Sequence, residues 1–254
     1  MRIIALFTDI KFKKICFPII KGEHIFMNEE FESCNFCPRP KNILFVVTNT
    51  DRFNENHKTG VWLEEFAVPY MVLLDEGYSI TVASPKGGEA PIDPASCKNE
   101  LQDAIRALGD TKALNAVDFT TFDALILPGG HGPMFDLSKD ETLAIIINDF
   151  QKSNKLIAAI CHGPAGLLSA KTNGIPFVNG RKLTCYTNEE EVFSKKENLI
   201  PYFLEDALKD AGALFVQGSI GEVNVVEDNN LITAQNYQSV KAFTNAVVKY
   251  LSHI

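Results

Sequence analysis

A run of five apolar residues that ends in a cysteine is the feature that most restricts how this chain can fold. Residues 156–160 (LIAAI) are typical of a buried parallel strand, and the small residues from Gly163 onward favour the start of a helix. Cys161 stands between them, with Ala159 two residues before it and Gly163 two residues after it. A nucleophile elbow has this layout, because its sharp strand-to-helix turn accepts only small flanking residues. The pattern therefore predicts an α/β protein with Cys161 as its reactive centre.

The position of Cys161 also leads to an expectation about its thiol. A helix N-terminus favours negative charge and lowers the pKa of a nearby thiol. We therefore expect the pKa of Cys161 to lie below that of a free cysteine. The alternative is a buried structural cysteine, since free cysteine is among the most buried residue types. The combination of strand, small flanks, cysteine, histidine and helix favours the reactive thiol.

Strand-like and helix-like segments alternate from Lys41 to the C-terminus. Strands are indicated at 43–47, 79–83, 124–127, 156–160, 182–186, 213–216, 223–226 and 231–233, and helices at about 59–74, 101–108, 141–151, 202–211 and 239–251. This order predicts right-handed βαβ units and a doubly wound, mostly parallel sheet with helices on both faces. No internal repeat or linker interrupts it, so we expect one domain over residues 41–254.

Residues 1–40 do not follow this pattern. They mix basic, aromatic and Cys/Pro-rich pieces without a sustained period, and we expect an N-terminal extension. Its role stays open between a peripheral arm, a mobile arm and an upstream translation in which Met27 is the working start. Cys34 and Cys37 form a C-x-x-C pair, but no second ligand pair stands near them, which favours two incidental thiols over a zinc site.

Composition excludes several classes of protein. The formal net charge is −8 and no basic stripe is present, which argues against nucleic-acid binding. No apolar run is long enough to span a bilayer, and the N-terminus resembles a signal peptide only weakly. The six cysteines are irregularly spaced in a chain that does not need disulfides. We therefore expect a cytoplasmic protein with reduced thiols that binds neither membrane nor nucleic acid, with no metal or organic cofactor.

A glycine-rich turn follows the strand at 124–127. In residues 129–132 (GGHG) the backbone N–H groups of Gly129 and Gly130 could face a ligand, and with the N–H of His162 they could form an oxyanion hole. A plain turn explains the glycines equally well. His131 taken alone is typical of a solvated loop histidine.

Two groups of carboxylates stand near these loops in the predicted topology. Glu64 and Glu65 lie early in an amphipathic helix, outside its apolar register, as solvated first-turn carboxylates would. Pro69 removes the helical partner of the Glu65 carbonyl, so a distorted helix is expected there. The run at 189–191 (EEE) is by itself most typical of a solvated helix start.

Four motifs together resemble the ThiJ/PfpI superfamily, which has the class I glutamine amidotransferase-like fold. They are residues 59–65 (TGVWLEE), 83–88 (ASPKGG), 127–132 (LPGGHG) and 159–164 (AICHGP). The nearest branch is that of the glutathione-independent glyoxalase III and stress-chaperone proteins. The resemblance implies a flavodoxin-like domain, usually dimeric, with a Cys–His–Glu constellation and a glutamate beside the thiol.

The resemblance assigns roles residue by residue. The nucleophile falls on Cys161, its neighbour on His162, and the glutamate beside the thiol on Glu65 rather than Glu64. The third carboxylate falls best on Glu191, although Glu190 lies within the error of the alignment. One departure concerns residues 236–239 (NYQS), which stand where the branch usually has Asn-Pro followed by small residues, and we expect a changed pocket rim.

The function implied by the resemblance is conversion of methylglyoxal to lactate without glutathione. Cys161 would form a hemithioacetal with this small 2-oxoaldehyde, and Glu65 would then remove a proton as general base. The Gly130 and His162 amides would hold the resulting enediol(ate), and the final lactoyl thioester would be cleaved by water. Alternatives of the same fold are a stress-responsive holdase chaperone or redox sensor, and a cysteine hydrolase or deglycase.

Overall fold

The computed structural model describes residues 40–97 and 101–254. The expectations for the N-terminal extension, including Met27 and the Cys34–Cys37 pair, lie outside these residues. Within the part of the chain that is described, no helix is long and apolar enough to cross a membrane.

A seven-stranded sheet forms the centre of the fold. Its strands are β1 (Asn42–Val46), β2 (Ser79–Ser84), β3 (Lys112–Ala113), β4 (Ala124–Leu127), β5 (Leu156–Ile160), β6 (Val225–Asp228) and β7 (Leu231–Ala234). Their spatial order is β6-β7-β5-β4-β1-β2-β3. The β6–β7 pair is antiparallel and the other pairings of this sheet are parallel, which confirms the predicted mostly parallel sheet.

Helices cover both faces of this sheet. They are α1 (Leu63–Asp75), α2 (Gln102–Leu108), α3 (Glu141–Lys152), α4 (Asn188–Phe193), α5 (Leu204–Asp210) and α6 (Val240–Leu251). Successive side chains of a strand point to opposite faces. Leu44 and Val46 therefore join the core beneath α3 and α5, whereas Ile43 and Phe45 join the core beneath α1, α2 and α6. The predicted doubly wound architecture is confirmed.

Among the described residues, three short strand pairs lie outside the central sheet. They are Arg52–Asn54 with His57–Lys58, Lys171–Thr172 with Ile175–Pro176, and Lys182–Leu183 with Leu214–Phe215. The predicted strands at 182–186 and 213–216 are therefore shorter than expected and pair with each other instead of entering the sheet. The hairpin at 52–58 was not expected, because its polar sequence has no alternation of apolar residues to mark a strand.

Helix α1 differs from its prediction in two ways. It begins at Leu63, later than the expected start at 59, and it continues through Pro69. Its buried face also differs from the predicted apolar face near the C-terminal end, where Leu73 is buried whereas Met71 and Leu74 are 39% and 44% exposed. The side chains that matter for the site lie in its first turn.

Candidate active site

The sheet order brings the elbow and the glycine turn together. Strands β4 and β5 are parallel neighbours, so the loops after them leave from the same edge, where ligands bind in open α/β sheets. Cys161 follows β5, and its backbone N–H donates to the carbonyl of Ala234 at the end of β7, at 2.8 Å. Gly129 follows β4. The elbow is thus held between the ends of two neighbouring strands.

The elbow has the strained backbone that its sequence suggests. Cys161 adopts φ +59°, a left-handed conformation that costs an L-residue about 1–2 kcal/mol. Gly163 must be small, because a Cβ there would lie 2.0 Å from the carbonyl oxygen of Leu127. The segment that follows, Gly163–Ser169, is helical as expected and has the 3-10 form. Gly163 and Gly166 in this short segment have low helix propensity, which fits the outcome.

The thiol of Cys161 is harder to ionise than a free cysteine, so the expectation of a lowered pKa is wrong. Cys161 is only 6% exposed. Burial raises its pKa well above the usual value, and the nearby carboxylates of Glu65, Glu190 and Glu191 raise it further. A helix terminus alone would lower this pKa, but the burial and the carboxylates that raise it are not visible in the local sequence.

Glu65 is a fully buried carboxyl group beside the thiol. Its Oε2 accepts a hydrogen bond from the Gly129 N–H at 2.9 Å. Burial raises the pKa of Glu65 to about 8, although the adjacent Cys161 thiol and the Gly129 N–H lower it in part. Glu64 is only partly buried. The structure thus puts Glu65 against the thiol, and its carboxyl is mostly protonated at pH 7.

Cys161, His162 and Glu191 form a connected chain of polar groups. The Sγ of Cys161 lies 3.3 Å from Nδ1 of His162, and Nε2 of His162 contacts Oε1 of Glu191. His162 and Glu191 are both buried. Burial would raise the pKa of Glu191, but the charge of His162 and hydrogen bonds from His131 and His162 outweigh it, so the pKa lies well below its usual value. Glu191 is therefore an ionised carboxylate that orients His162.

Glu190 points elsewhere and anchors the surrounding backbone. It completes a capping box with Thr187 at the start of α4. Its Oε1 accepts hydrogen bonds from the Gly221 N–H at 3.0 Å and from Nδ2 of Asn236 at 2.7 Å. Of the two glutamates that the sequence left open, Glu191 is the one that contacts His162.

The segment 236–239 does contribute to the surface near the site. Asn236 is buried against Glu190, whereas Tyr237 is 40% exposed and stacks on Trp62 with ring centroids 5.4 Å apart. The N–H of Trp62 in turn donates to the carbonyl of Gly129 at 3.0 Å. An aromatic pair therefore stands next to the glycine turn, and its Tyr237 belongs to the segment for which a changed pocket rim was expected.

His131 is the residue that sequence reasoning missed. Instead of being solvated it is only 6% exposed, and its ring lies 4.0 Å from that of His162 and 4.9 Å from that of Phe53. Its Nε2 lies 3.2 and 3.3 Å from the two carboxylate oxygens of Glu191. Burial, and then the charge of His162, lower the pKa of His131 to about 4. Its place directly after a buried strand was the one sequence signal that pointed to the site.

The two histidines and Glu191 are also a candidate set of metal ligands. Among the described residues they form a group whose ligand atoms lie within 4.8 Å of one another. A histidine that binds a metal almost always donates its second N–H to an acceptor. Nδ1 of His131 is buried and has no hydrogen-bond partner among the described residues. The contacts of Glu191 with both imidazoles fit a hydrogen-bonded cluster better than a metal site.

The glycine turn contributes to the site in two ways. The Gly129 N–H already donates to Glu65, so this amide positions the glutamate. A Cβ on Gly129 would lie 2.5 Å from Oε2 of Glu65 and 2.8 Å from the amide nitrogen of His162. Gly130 has φ +86°, and a Cβ there would lie 2.0 Å from the carbonyl oxygen of Gly60. The Gly130 and His162 amides stay the predicted donors to an oxyanion.

The fold and the site together define a class: α/β proteins with a cysteine elbow at the carboxyl edge of a mostly parallel sheet. The model of the DJ-1/PfpI family matches residues 58–250. The chain belongs to this family, which confirms the resemblance to the ThiJ/PfpI superfamily.

Several relatives carry informative names. The chain is 27% identical over 218 residues to the glutathione-independent glyoxalase hsp3101 of Schizosaccharomyces pombe, covering 78% of this chain and 89% of the relative. The X-ray structure of the rapid encystment protein of 24 kDa from Francisella tularensis matches with a TM-score of 0.78 and 35% identity, over 82% of this chain and 97% of that one. Glyoxalase III from Candida albicans has the same fold, with a TM-score of 0.71 and 24% identity over 82% and 96% of the two chains.

Proposed function

We propose that this protein is a glutathione-independent glyoxalase that converts methylglyoxal to lactate, a lyase of the glyoxalase III type. The observation that carries the proposal is the pairing of Cys161 with Glu65, a buried carboxyl whose pKa is raised to about 8. A base that works near neutral pH is what proton transfer between adjacent carbons requires. The names of relatives at about 27% identity support the same activity.

The first step would join the thiol to the aldehyde carbon. His162 takes the thiol proton at Nδ1, which lies 3.3 Å from Sγ, and passes it to the carbonyl oxygen as the new C–S bond forms. The product is a hemithioacetal. Glu191 stabilises the charge that His162 carries during this transfer, because its pKa is held well below the usual range.

The second step would move a proton between the two carbons. The ionised form of Glu65 removes the proton from the hemithioacetal carbon, and the Gly130 and His162 amides stabilise the enediolate oxygen. The hydroxyl proton on the hemithioacetal carbon moves to the neighbouring oxygen, and Glu65 then returns its proton to the neighbouring carbon, which gives a lactoyl thioester. Water cleaves this thioester to lactate and restores the thiol, so the overall change is the addition of one water to methylglyoxal.

The decisive experiment is an assay of lactate from methylglyoxal with purified protein and no added thiol. We expect turnover by the wild type, loss of at least 100-fold in Cys161→Ser and Glu65→Gln, and near wild-type activity in the control Glu64→Gln. Absence of lactate with the wild type, or full activity of Cys161→Ser, would refute the proposal. Release of lactate from glycated protein at a higher rate than from free methylglyoxal would favour deglycation by the same residues.

An exposed apolar surface favours a holdase chaperone as a second candidate function. Phe193 is 73% exposed and Val192 and Ile220 are 56% and 46% exposed. A contiguous exposed apolar patch is typical of a surface that binds other proteins. Suppression of client aggregation that survives Cys161→Ala but is lost in Phe193→Ser would support this function. The raised pKa of Cys161 argues against a redox sensor, because the thiolate is the form that oxidises readily.

The expected assembly and location are part of the same proposal. The substrate would be a small 2-oxoaldehyde, and the protein would act as a cytoplasmic homodimer without a cofactor. Light scattering of the purified protein tests the dimer, since a single monomer mass would contradict it.

A further inference from the structure

We propose that His131 is a positioning residue that acts through Glu191. Its Nε2–H would hold the carboxylate against His162 and so fix the tautomer of His162 whose Nδ1 can accept the proton of Cys161. The inference rests on the Cys–His–Glu arrangement of the proposed function, but it is tested below by measurements that need no turnover.

The hydrogen on His131 can be located from its partners. Nε2 lies within 3.3 Å of both oxygens of Glu191, and an ionised carboxylate only accepts hydrogen bonds. Nε2 therefore donates. With a pKa of about 4 the ring is neutral at pH 7, so Nδ1 carries no hydrogen and His131 has a single N–H, which is used on Glu191.

The N–H of His131 is a second donor to Glu191, besides that of His162, and it constrains the carboxylate. The N–H of His131 lies between the two oxygens, which opposes rotation of the carboxylate plane. Oε1 of Glu191 is then presented to Nε2 of His162. In the neutral form of His162, an acceptor at this position keeps the hydrogen on Nε2 and leaves Nδ1 free of hydrogen beside the thiol.

Loss of His131 would release this arrangement. Glu191 is 2% exposed and would keep only one of its two imidazole donors. The carboxylate could then turn away from His162, and the hydrogen of His162 could move to Nδ1. In that tautomer Nδ1 cannot accept the thiol proton, so Cys161 would react more slowly even though no group that touches it had been changed.

Side-chain variants separate this role from simple packing. In His131→Gln the amide nitrogen can take the place of Nε2, whereas His131→Asn is too short and His131→Leu has no donor. We expect His131→Gln to alkylate at Cys161 with iodoacetamide within about 3-fold of the wild-type rate, and the Leu and Asn variants to be at least about 10-fold slower, the size of one hydrogen bond to a charged group. Mass spectrometry of the Cys161 peptide separates it from the other cysteines.

The tautomer is measured directly by proton–nitrogen correlation spectra of the imidazoles. The chain has five histidines, so the signals of His162 can be assigned from single variants. We expect a pure Nε2–H tautomer for His162 in the wild type and in His131→Gln, and a mixture in His131→Asn. If His131→Leu does not fold, the comparison between His131→Gln and His131→Asn still tests the proposal. Equal alkylation rates and equal tautomers in these two variants would overturn the proposal.

A double-mutant cycle tests whether His131 acts through Glu191. In a Glu191→Gln background, His131→Asn should slow alkylation no further, because the partner it positions is already altered. The same loss in both backgrounds would show a different role and refute the inference. Absence of lactate from methylglyoxal would refute the proposed function alone, since neither alkylation nor the imidazole spectra depend on that reaction.

Discussion

Replacing Glu65 by Gln should stabilise this protein at neutral and alkaline pH while removing its activity. The native state holds a proton on Glu65 up to a pKa of about 8, against 4.5 for an ordinary glutamate. An unfolded chain gives up this proton above its lower pKa, so the folded state binds more protons between these values. The free energy of unfolding therefore falls as pH rises through this window. The contribution that the proton on Glu65 makes to it is fully lost above about pH 8.

The size of the effect follows from the same pKa values. Each unit corresponds to about 1.4 kcal/mol, so the shift amounts to roughly 5 kcal/mol above pH 8 and roughly 3 kcal/mol at pH 7. Gln cannot ionise, and its carbonyl oxygen can still accept the hydrogen bond from Gly129. The free energy of unfolding of Glu65→Gln should therefore exceed that of the wild type by an amount that grows from pH 5 to pH 8 and is constant above.

Urea unfolding of the two proteins at pH 5, 7 and 9 measures this difference. The matched control is Glu64→Gln, one residue earlier on α1 and only partly buried, which should change stability little at any pH. A difference between Glu65→Gln and wild type that is the same at all three pH values would refute the reasoning. A Glu65→Gln protein that is less stable than the wild type at pH 9 would also refute it.

Four further predictions concern activity and stability. Lactate formation should rise with pH and level off above about pH 8, because Glu65 must be ionised to act as base; a flat rate from pH 6 to 9 would contradict this role. Gly129→Ala should lower activity at least 10-fold, because its Cβ would lie 2.5 Å from Oε2 of Glu65; wild-type kinetics in this variant would show that the contact is unimportant. Glu190→Gln should lower the free energy of unfolding by about 1–3 kcal/mol with little effect on kcat, since it removes a charged acceptor from the backbone N–H groups it binds. Glu191→Gln should have the opposite balance of effects. It should lower kcat at least 10-fold, and its change in the free energy of unfolding, measured in urea, should be smaller than that of Glu190→Gln.

Prediction from the sequence succeeded where the evidence was local. The apolar strand and the small flanks of Cys161 indicated a sharp turn, and the structure has that turn with a left-handed cysteine. The assignment of Glu65 over Glu64 came from the resemblance and agrees with its burial. Prediction failed for the hairpin at 52–58, whose polar residues carry no periodic signal.

The sequence by itself determined the class of fold and the position of the cysteine elbow. The period of apolar residues sets which segments are strands and helices, and their alternation leads to a mostly parallel sheet with the elbow at its carboxyl edge. The tertiary structure decided the chemistry of that edge. His131 and Glu191 are 60 residues apart in the chain and meet only because the loop after β4 and helix α4 converge there. The pKa values of Cys161 and Glu65 likewise depend on burial and on charges from distant segments, and no local pattern of residues contains that information.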